Sequence, residues 1–209
     1  MNINRLKFLL SALLMLVLPA SLAMAQYKVE IDKPEIVEVK SPQLGQFSAK
    51  KNFTAKDWME IEVKFKVEVP PKDRDKVKFL DKVTVKWYVA AKNPDTGKGF
   101  ILMEKEVTHV NVPVGEDIYA SVYLSPNSVK RLTGGERVNK ADIEQVGGEI
   151  LVNGQQPVKN SGFFSKNTQG KWWASGKLSR YDKIPLLNKD ETPFKILWYG
   201  RYAEIEVKR

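Results

Sequence analysis

A strict two-residue alternation from Met59 to Val69 constrains the fold of this chain more than any other sequence feature. Six apolar side chains at the odd positions alternate with five charged side chains at the even positions. Successive side chains of an extended strand point to opposite faces, so the pattern predicts one long strand with a buried face and a solvated face. Pro70 and Pro71 end it. One solvated face is typical of an antiparallel sheet.

Further segments predict strands of the same kind. Residues 83–89 place Trp87 among valines on one face, and residues 118–124 alternate in the same way. Residues 100–112 change register, which a β-bulge between Met103 and Val107 would explain. The pair Asn153-Gly154 lies between two apolar runs and predicts a hairpin turn.

The last forty residues mix strand and loop signals. Lys171-Trp172-Trp173 predicts a strand, and the Gly, Pro, Asn and Asp residues of 175–193 predict a loop. Residues 194–198 and 203–207 predict strands whose register changes across Gly200, which indicates another bulge.

One short helix completes the prediction. Ser125 provides an N-cap and Pro126 a first-turn residue, the helix extends to about Leu132, and Gly134 closes it. Seven to nine strands with almost no helix predict an all-β fold, and an inward-facing Trp87 favours an immunoglobulin-like antiparallel β-sandwich with long connections and at most one short helix. We assign residues 58–209 to the sandwich and residues 26–57 to an N-terminal strand or extended segment belonging to it.

Residues 1–25 have the three-part pattern of a secretory signal peptide. Arg5 and Lys7 precede an apolar run at 8–18, and Ala23-Met24-Ala25 supplies the cleavage pattern. An uncleaved anchor is the alternative, but the run is shorter than the about 20 residues that a membrane span needs. We expect an exported protein in the periplasm, at the outer membrane or on the cell surface.

Composition excludes much of enzyme chemistry. The chain has no cysteine and one histidine, His109, which removes disulfides, thiol nucleophiles and His-rich or Cys-ligated metal sites. A role for His109 as a catalytic base is the alternative to a surface or edge-strand histidine. No phosphate-binding glycine loop or nucleophile elbow is present. We therefore expect no enzymatic activity, no cofactor and no metal.

Neighbouring carboxylates are the remaining candidates for acid–base chemistry. Residues two apart on a strand share a face, but adjacent lysines such as Lys105 and Lys208 favour solvated strand faces instead. The carboxylate pairs are Glu104 and Glu106, Asp190 and Glu191, and Glu204 and Glu206.

The positive charge of the chain is spread rather than concentrated. The formal net charge is +9, and acidic residues lie among the basic ones throughout. Proteins that bind nucleic acid usually concentrate their charge on one face, so we expect no nucleic-acid partner. An acidic glycan or an anionic membrane surface is the better electrostatic expectation.

Two pairs of adjacent aromatic residues, Trp172-Trp173 and Trp198-Tyr199, suggest an interaction surface. Adjacent side chains on a strand point to opposite faces, so one ring of each pair is free to meet a loop, a partner or a ligand. The alternative is that a long loop covers the second ring. The candidate surface residues are Trp172, Trp173, Tyr199, Arg201 and Tyr202.

Four stretches together carry a family resemblance: residues 82–91 (KVTVKWYVAA), 149–154 (EILVNG), 171–175 (KWWAS) and 194–201 (FKILWYGR). In these the chain resembles the pilus-like proteins of verrucomicrobial gut bacteria, small exported proteins encoded beside type IV pilus-type genes. The resemblance implies an immunoglobulin-like fold and a non-enzymatic role at the outer membrane or cell surface. It supplies no catalytic motif to map onto this sequence.

The start of the chain lacks the processing site of a type IV prepilin, because no glycine precedes Phe8. An accessory or adaptor role therefore fits better than a pilus shaft. We expect contacts with envelope or pilus-system proteins, through an edge strand or an aromatic patch. The sequence leaves open whether the protein forms homo-oligomers. The alternative function is a glycan-binding module that uses Trp172 or Trp173 as a stacking platform.

Overall fold

The computed structural model describes residues 27–43, 54–135, 137, 139–158, 161–167 and 170–207. The segment interpreted as a signal peptide, residues 1–25, lies outside these ranges, as do residues 44–53 of the N-terminal segment. Within the described ranges, no helix is both long enough and apolar enough to pass through a bilayer.

The described residues form eleven strands, one α-helix and several 3-10 turns. The helix is α1 (Pro126–Thr133). The strands are β1 (Lys28–Ile31), β2 (Glu35–Lys40), β3 (Asp57–Glu68), β4 (Phe79–Lys92), β5 (Phe100–Pro113), β6 (Ile118–Leu124), β7 (Ile143–Val152), β8 (Gly162–Phe164), β9 (Ser179–Arg180), β10 (Leu187–Asn188) and β11 (Glu204–Ile205).

These strands form two sheets that pack face to face. In the first sheet β1 and β2 both pair with β3, followed by β6 and β10; the second sheet has the order β11, β5, β4, β7 and β8. Every pairing between these named strands is antiparallel except the short parallel contact between β9 and β5. Strands β3 to β8 follow the order B, C, C′, E, F and G of an immunoglobulin fold, which confirms the predicted sandwich.

The core lies between the sheets and is centred on Trp87. Its indole is fully buried and meets the ring of Phe163 edge to face, with centroids 5.0 Å apart. Gly148 makes this contact feasible, because a Cβ at that position would lie 2.2 Å from Cζ of Phe163 and 2.3 Å from the carbonyl oxygen of Lys86. The sequence prediction of an inward-facing Trp87 is confirmed.

The predicted bulge between Met103 and Val107 is wrong. Strand β5 keeps one register against β4 from end to end. Up to His109, the residues of β5 that face the core are at odd positions. Beyond it, Val112 at an even position faces the core. The change of face occurs at Asn111, whose φ is +53°. Leu80 of β4 is buried opposite Val112, so both strands change face together and the pairing stays in register.

The predicted helix and hairpin turn are confirmed. The hydroxyl oxygen of Ser125 accepts a hydrogen bond from the backbone N–H of Ser128, and Gly134 ends α1 in the left-handed conformation. Asn153 and Gly154 have φ values of +49° and +77°, the two positive values that a type I′ turn requires. The return strand is limited to one bridge at Gln155.

The C-terminal strands were predicted less well. Residues 172–174 and 193–196 form 3-10 turns rather than strands. Glycines with positive φ at Gly170 and Gly176 bound the first turn, so adjacent tryptophans there are held in a tight connection. Residues 175–193 form mainly loop with short bridges in β9 and β10, and only Glu204–Ile205 of the last predicted strand pairs.

Candidate functional site

The C-terminal segment (residues 187–205) connects the two sheets at one side of the sandwich. It starts as β10, which pairs with Val122 and Tyr123 of β6. It ends as β11, which pairs with His109 and Val110 of β5. Between these points it lies over the outer face of the first sheet, which the alternation in β3 had predicted to be solvated.

Local sequence determines how this segment folds. Asn188 and Glu191 form a capping box, in which each side chain accepts a hydrogen bond from the backbone N–H of the other residue. The hydroxyl oxygen of Thr192 then accepts a hydrogen bond from the N–H of Phe194, which starts the next turn. These two caps satisfy backbone groups that the short turns leave unpaired, so the segment has a defined path.

Phe194 anchors the segment to the sheet. Its side chain is 1% exposed and stacks on the ring of Tyr123 with centroids 5.2 Å apart. The ring of Trp58 meets it edge to face at 5.5 Å. Burying a phenylalanine side chain contributes about 2 kcal/mol, so this residue fixes the middle of the segment.

A buried polar cluster lies beneath the segment. Glu60 of β3 accepts hydrogen bonds from the hydroxyls of Tyr123, at 2.5 Å, and Tyr202, at 3.2 Å. Burial raises the pKa of Glu60 above its ordinary value, although both hydrogen bonds act in the opposite direction. Burial also raises the pKa of Tyr123 and of Tyr202, so both phenols remain donors near neutral pH.

Arg201 and Tyr202 make most of their contacts inside the protein. The guanidinium of Arg201 lies 3.8 Å from the centre of the Tyr119 ring and forms an ion pair with Glu62. The single O–H of Tyr202 is shared between Glu62 and Glu60. Their role is therefore to tie the segment to the first sheet.

A recess of about 240 Å³ opens where the segment passes from the first sheet to the second. Aromatic and charged side chains line it together. They include His109, Lys189, Asp190, Trp198, Tyr199 and Tyr202.

His109 forms the inner wall of the recess and is 2% exposed, which corrects the expectation of a surface or edge-strand histidine. Its Nδ1–H donates to the carbonyl oxygen of Ala203 at 3.2 Å. Its Nε2 has no hydrogen-bond partner among the described residues. Burial lowers the pKa of His109 to about 4, so the ring is neutral at pH 7 and Nε2 is an acceptor.

Lys189 is also largely buried. Its ammonium donates to the carbonyl oxygen of Lys195 at 3.1 Å and lies over the rings of Tyr199, at 5.7 Å, and Tyr202, at 5.2 Å. Burial lowers the pKa of Lys189, although Asp190 acts to raise it. The lysine therefore orders the aromatic rings beside the recess.

Three large apolar side chains on the same segment point to solvent. Ile196 is 49% exposed, Trp198 46% and Tyr199 81%. Positive φ values of +56° at Trp198 and +86° at Gly200 turn the backbone outward at this point. Because Trp198 also stacks against the buried Phe194, with centroids 6.0 Å apart, the exposed group is held in place.

Trp172 and Trp173 lie on the opposite outer face, against the second sheet. The ring of Trp173 stacks on Tyr88 of β4 at 4.5 Å and on Phe164 of β8 at 5.6 Å. Trp172 meets it edge to face at 5.4 Å. The five predicted surface residues are thus divided between two faces: Trp172 and Trp173 on one, and Tyr199, Arg201 and Tyr202 on the other.

The candidate carboxylates all have partners and form no shared acid–base site. Among the described residues, no group of three or more His, Asp or Glu side chains is arranged to hold a metal. The contacts pair Glu104 with Arg180, Glu106 with Lys86, Asp190 with Lys195, Glu191 with Lys105, Glu204 with Asn111 and Glu206 with Lys82.

Sequence reasoning missed Glu60, Lys189 and the buried position of His109. Their signals in the sequence are those of ordinary strand and loop residues, because the segment that covers Glu60 follows it by more than 120 positions. The adjacency of Trp198 and Tyr199 was the one local signal that pointed to this region.

The chain is similar to a protein of known structure. A protein-family model matches residues 20–209. A crystal structure of a protein from Akkermansia muciniphila, a verrucomicrobial bacterium, is similar with a TM-score of 0.79 and 38% sequence identity. The match covers 89% of this chain and 96% of that protein. No curated protein matches the sequence.

Proposed function

This chain belongs to the protein family whose model matches residues 20–209, and from that premise we propose that it is a non-catalytic, exported envelope or cell-surface protein. In this proposal it is an accessory or adaptor component of a type IV pilus-like system and acts through protein–protein contacts. The signal-peptide pattern of residues 1–25 and the verrucomicrobial relative support it.

The observation that carries the proposal is the exposed apolar group Ile196, Trp198 and Tyr199. Large aromatic side chains that are exposed yet held in place are enriched at the energetic centres of protein interfaces. The capping box, the Thr192 cap and the burial of Phe194 fix this group before any partner binds. A preorganised group loses less side-chain entropy when it binds, which favours affinity.

Photo-crosslinking in intact cells tests this proposal. We would replace Tyr199 with a benzophenone amino acid in the full chain, irradiate cells that express it, and identify the adducts by mass spectrometry. The proposal expects adducts with a defined envelope or pilus-system protein. A benzophenone at Phe79 is the matched control, because Phe79 is 63% exposed and lies at the start of β4.

Adducts that depend on the Tyr199 position would support an adaptor that uses this surface. The same adducts from both positions, or none from Tyr199, would contradict it. Cell fractionation of the same samples tests the expected export independently, since a wholly cytoplasmic protein would contradict that part of the proposal.

The alternative proposal, a glycan platform at Trp172 and Trp173, gains less from the geometry. Stacking of a sugar requires a free ring face. One face of Trp173 already lies against Tyr88, with ring planes only 6° apart. A Trp173→Ala variant that folds and keeps all sugar binding would exclude this platform.

A further inference from the structure

Strand β2 lies at the edge of the first sheet, and its free side carries unused hydrogen-bonding groups. Its strand partner among the described residues is β3. The N–H of Ser41, just beyond β2, donates to the carbonyl oxygen of Lys56 at 2.8 Å. Because bonded and non-bonded positions alternate in an antiparallel pair, residues 35, 37 and 39 bond to β3. The backbone groups of residues 36, 38 and 40 face away and have no partner in the described part of the chain.

Two prolines limit what can pair with this edge. Pro34 and Pro42 flank β2, and neither has a backbone N–H to donate. The outward donors of the strand are therefore confined to Ile36, Glu38 and Lys40. A partner for so short and charged an edge must bring charges that complement it, because like charges directly opposite each other are unfavourable in a sheet.

The charge pattern of the edge is complementary to itself. When two copies pair antiparallel about a two-fold axis, outward residues of one copy must lie opposite outward residues of the other. Registers centred on residue 37, 38 or 39 bring two or more such pairs together. Centring on Val39 places Glu38 of each copy opposite Lys40 of the other, so opposite charges meet on both sides of the axis.

The other two registers lack this complementarity. Centring on Glu38 places two carboxylates directly opposite each other. Centring on Val37 places Glu38 opposite the apolar Ile36 of the other copy. Lys40 forms an ion pair with Asp57 of β3 at 2.7 Å, and its side chain is 67% exposed. Its ammonium is therefore held at the edge and is accessible to a second carboxylate.

We infer that β2 binds a second copy of this chain, edge to edge and centred on Val39, to form a two-fold symmetric dimer. The first sheets of the two copies become one continuous sheet, with Glu38 and Lys40 of each copy paired across the axis. The contact is short, so the dimer is weak, with a dissociation constant on the order of 100 µM. This dimer goes beyond the proposed adaptor role and does not involve Tyr199.

A single introduced cysteine locates the axis, because the chain has no cysteine of its own. In this register the two copies of residue 39 form a non-hydrogen-bonded pair with Cα atoms about 4.5 Å apart, within the range of a disulfide. Val39→Cys, expressed as the full chain and purified in reducing buffer, should therefore oxidise in air to a disulfide-linked dimer. Non-reducing gel electrophoresis would measure the rate.

Val37→Cys is the matched control, because residue 37 lies on the same face of the same strand. Its two copies would be four residues apart along the paired strands, or roughly 13 Å, which is too far for a disulfide. We expect Val39→Cys to oxidise at least about tenfold faster than Val37→Cys.

Charge variants test the pairing of Glu38 with Lys40. Glu38→Lys and Lys40→Glu each place like charges opposite each other, and each should weaken the dimer about tenfold in sedimentation experiments up to about 1 mM protein. An equimolar mixture of the two variants should form a heterodimer with opposite charges at both positions. Glu35→Lys, the same change of charge on the other face of β2, should leave the dimer unchanged. Circular dichroism of each variant would show that the fold is retained.

Each other outcome overturns the inference. A protein that stays monomeric at about 1 mM, or a Val37→Cys variant that oxidises as fast as Val39→Cys, would exclude this dimer. Dimers that Glu38→Lys leaves unchanged would place the contact elsewhere on the surface. A monomer whose Val39→Cys thiol is trapped by another envelope protein in intact cells would make the edge a site for a different chain. The crosslinks expected at Tyr199 are independent of all these results.

Discussion

The two aromatic pairs of this chain look alike in sequence and differ in the folded protein. Trp173 of the first pair is packed between Tyr88 and Phe164, and Trp172 packs against its edge. In the second pair, Trp198 and Tyr199 remain 46% and 81% exposed. The first pair covers part of the second sheet, whereas the second pair is exposed and is the surface that we propose for partner binding.

The residues beneath each pair explain the difference. Under the tryptophans, Gly147 has no side chain, and a Cβ there would lie 2.7 Å from Cζ3 of Trp173. Both rings can therefore approach the backbone of the sheet at this position. Under the second pair, Glu60 and Tyr123 project from the first sheet, and Phe194 fills the space above them. A sheet face with large side chains leaves no room for further rings, so Trp198 and Tyr199 point outward.

The largest effect that this comparison predicts comes from Trp173→Ala. The substitution removes two ring stacks and uncovers the outer face of the second sheet, so we expect the free energy of unfolding to fall by about 3 kcal/mol. Urea denaturation followed by circular dichroism would measure it. A loss below about 0.5 kcal/mol, as is usual for surface substitutions, would show that the tryptophans do not cover the sheet.

The second prediction uses the buried titratable groups that the C-terminal segment covers. His109 has a pKa of about 4 in the folded protein against an ordinary 6.5, so the unfolded chain binds more protons between these values. Its contribution to stability is present above pH 6.5 and is lost as the pH falls. Between pH 7 and pH 5 the free energy of unfolding should fall by about 2 kcal/mol relative to a His109→Gln variant.

The difference in free energy of unfolding between wild type and His109→Gln isolates the contribution of His109. Glu60 has a raised pKa, so its contribution has the opposite sign and increases as the pH falls. Because both proteins retain Glu60, its effect cancels in the comparison. Parallel stability curves for wild type and His109→Gln from pH 7 to pH 5 would contradict the burial of His109 in its neutral form.

The sequence predicted the sandwich well because its strands follow local rules. The alternation from Met59 to Val69, the Ser125 cap and the Asn153-Gly154 turn each depend on neighbouring residues, and each prediction was confirmed. The site depends on contacts between distant parts of the chain. Glu60 belongs to a pattern typical of a solvated face, and only the C-terminal segment, folded across that face, buries it.

The aromatic pairs illustrate the same limit. Adjacent aromatic residues favour strand by propensity, but both pairs lie in or beside tight turns with positive φ at nearby residues, including Gly176 and Gly200. Which ring becomes buried depends on the size of side chains in another strand. No local pattern in 171–175 or 194–201 contains that information.

A smaller effect is expected from Gly147→Ala, which tests the explanation offered for the first pair. The added Cβ would lie 2.7 Å from Trp173 Cζ3 and 3.1 Å from Trp172 Nε1, so the two rings must move outward. We expect a loss of about 1 to 2 kcal/mol and greater solvent exposure of a tryptophan. The change in stability and the rate of fluorescence quenching by iodide would measure both effects. An unchanged quenching rate would mean that the rings do not rest on Gly147.

The smallest effect on stability is expected from Tyr199→Ala, and it sharpens the comparison most. The side chain is 81% exposed, and its interaction with the Lys189 ammonium, at 5.7 Å, is one of two that this lysine makes with aromatic rings. The free energy of unfolding should therefore change by no more than about 0.5 kcal/mol. Binding to the partner that the proposed function expects should nevertheless be lost, because an exposed and ordered aromatic ring contributes to affinity rather than to folding. A variant that loses stability to the extent expected for Trp173→Ala would show that both pairs serve the fold, and the division between a covering pair and a binding pair would be wrong.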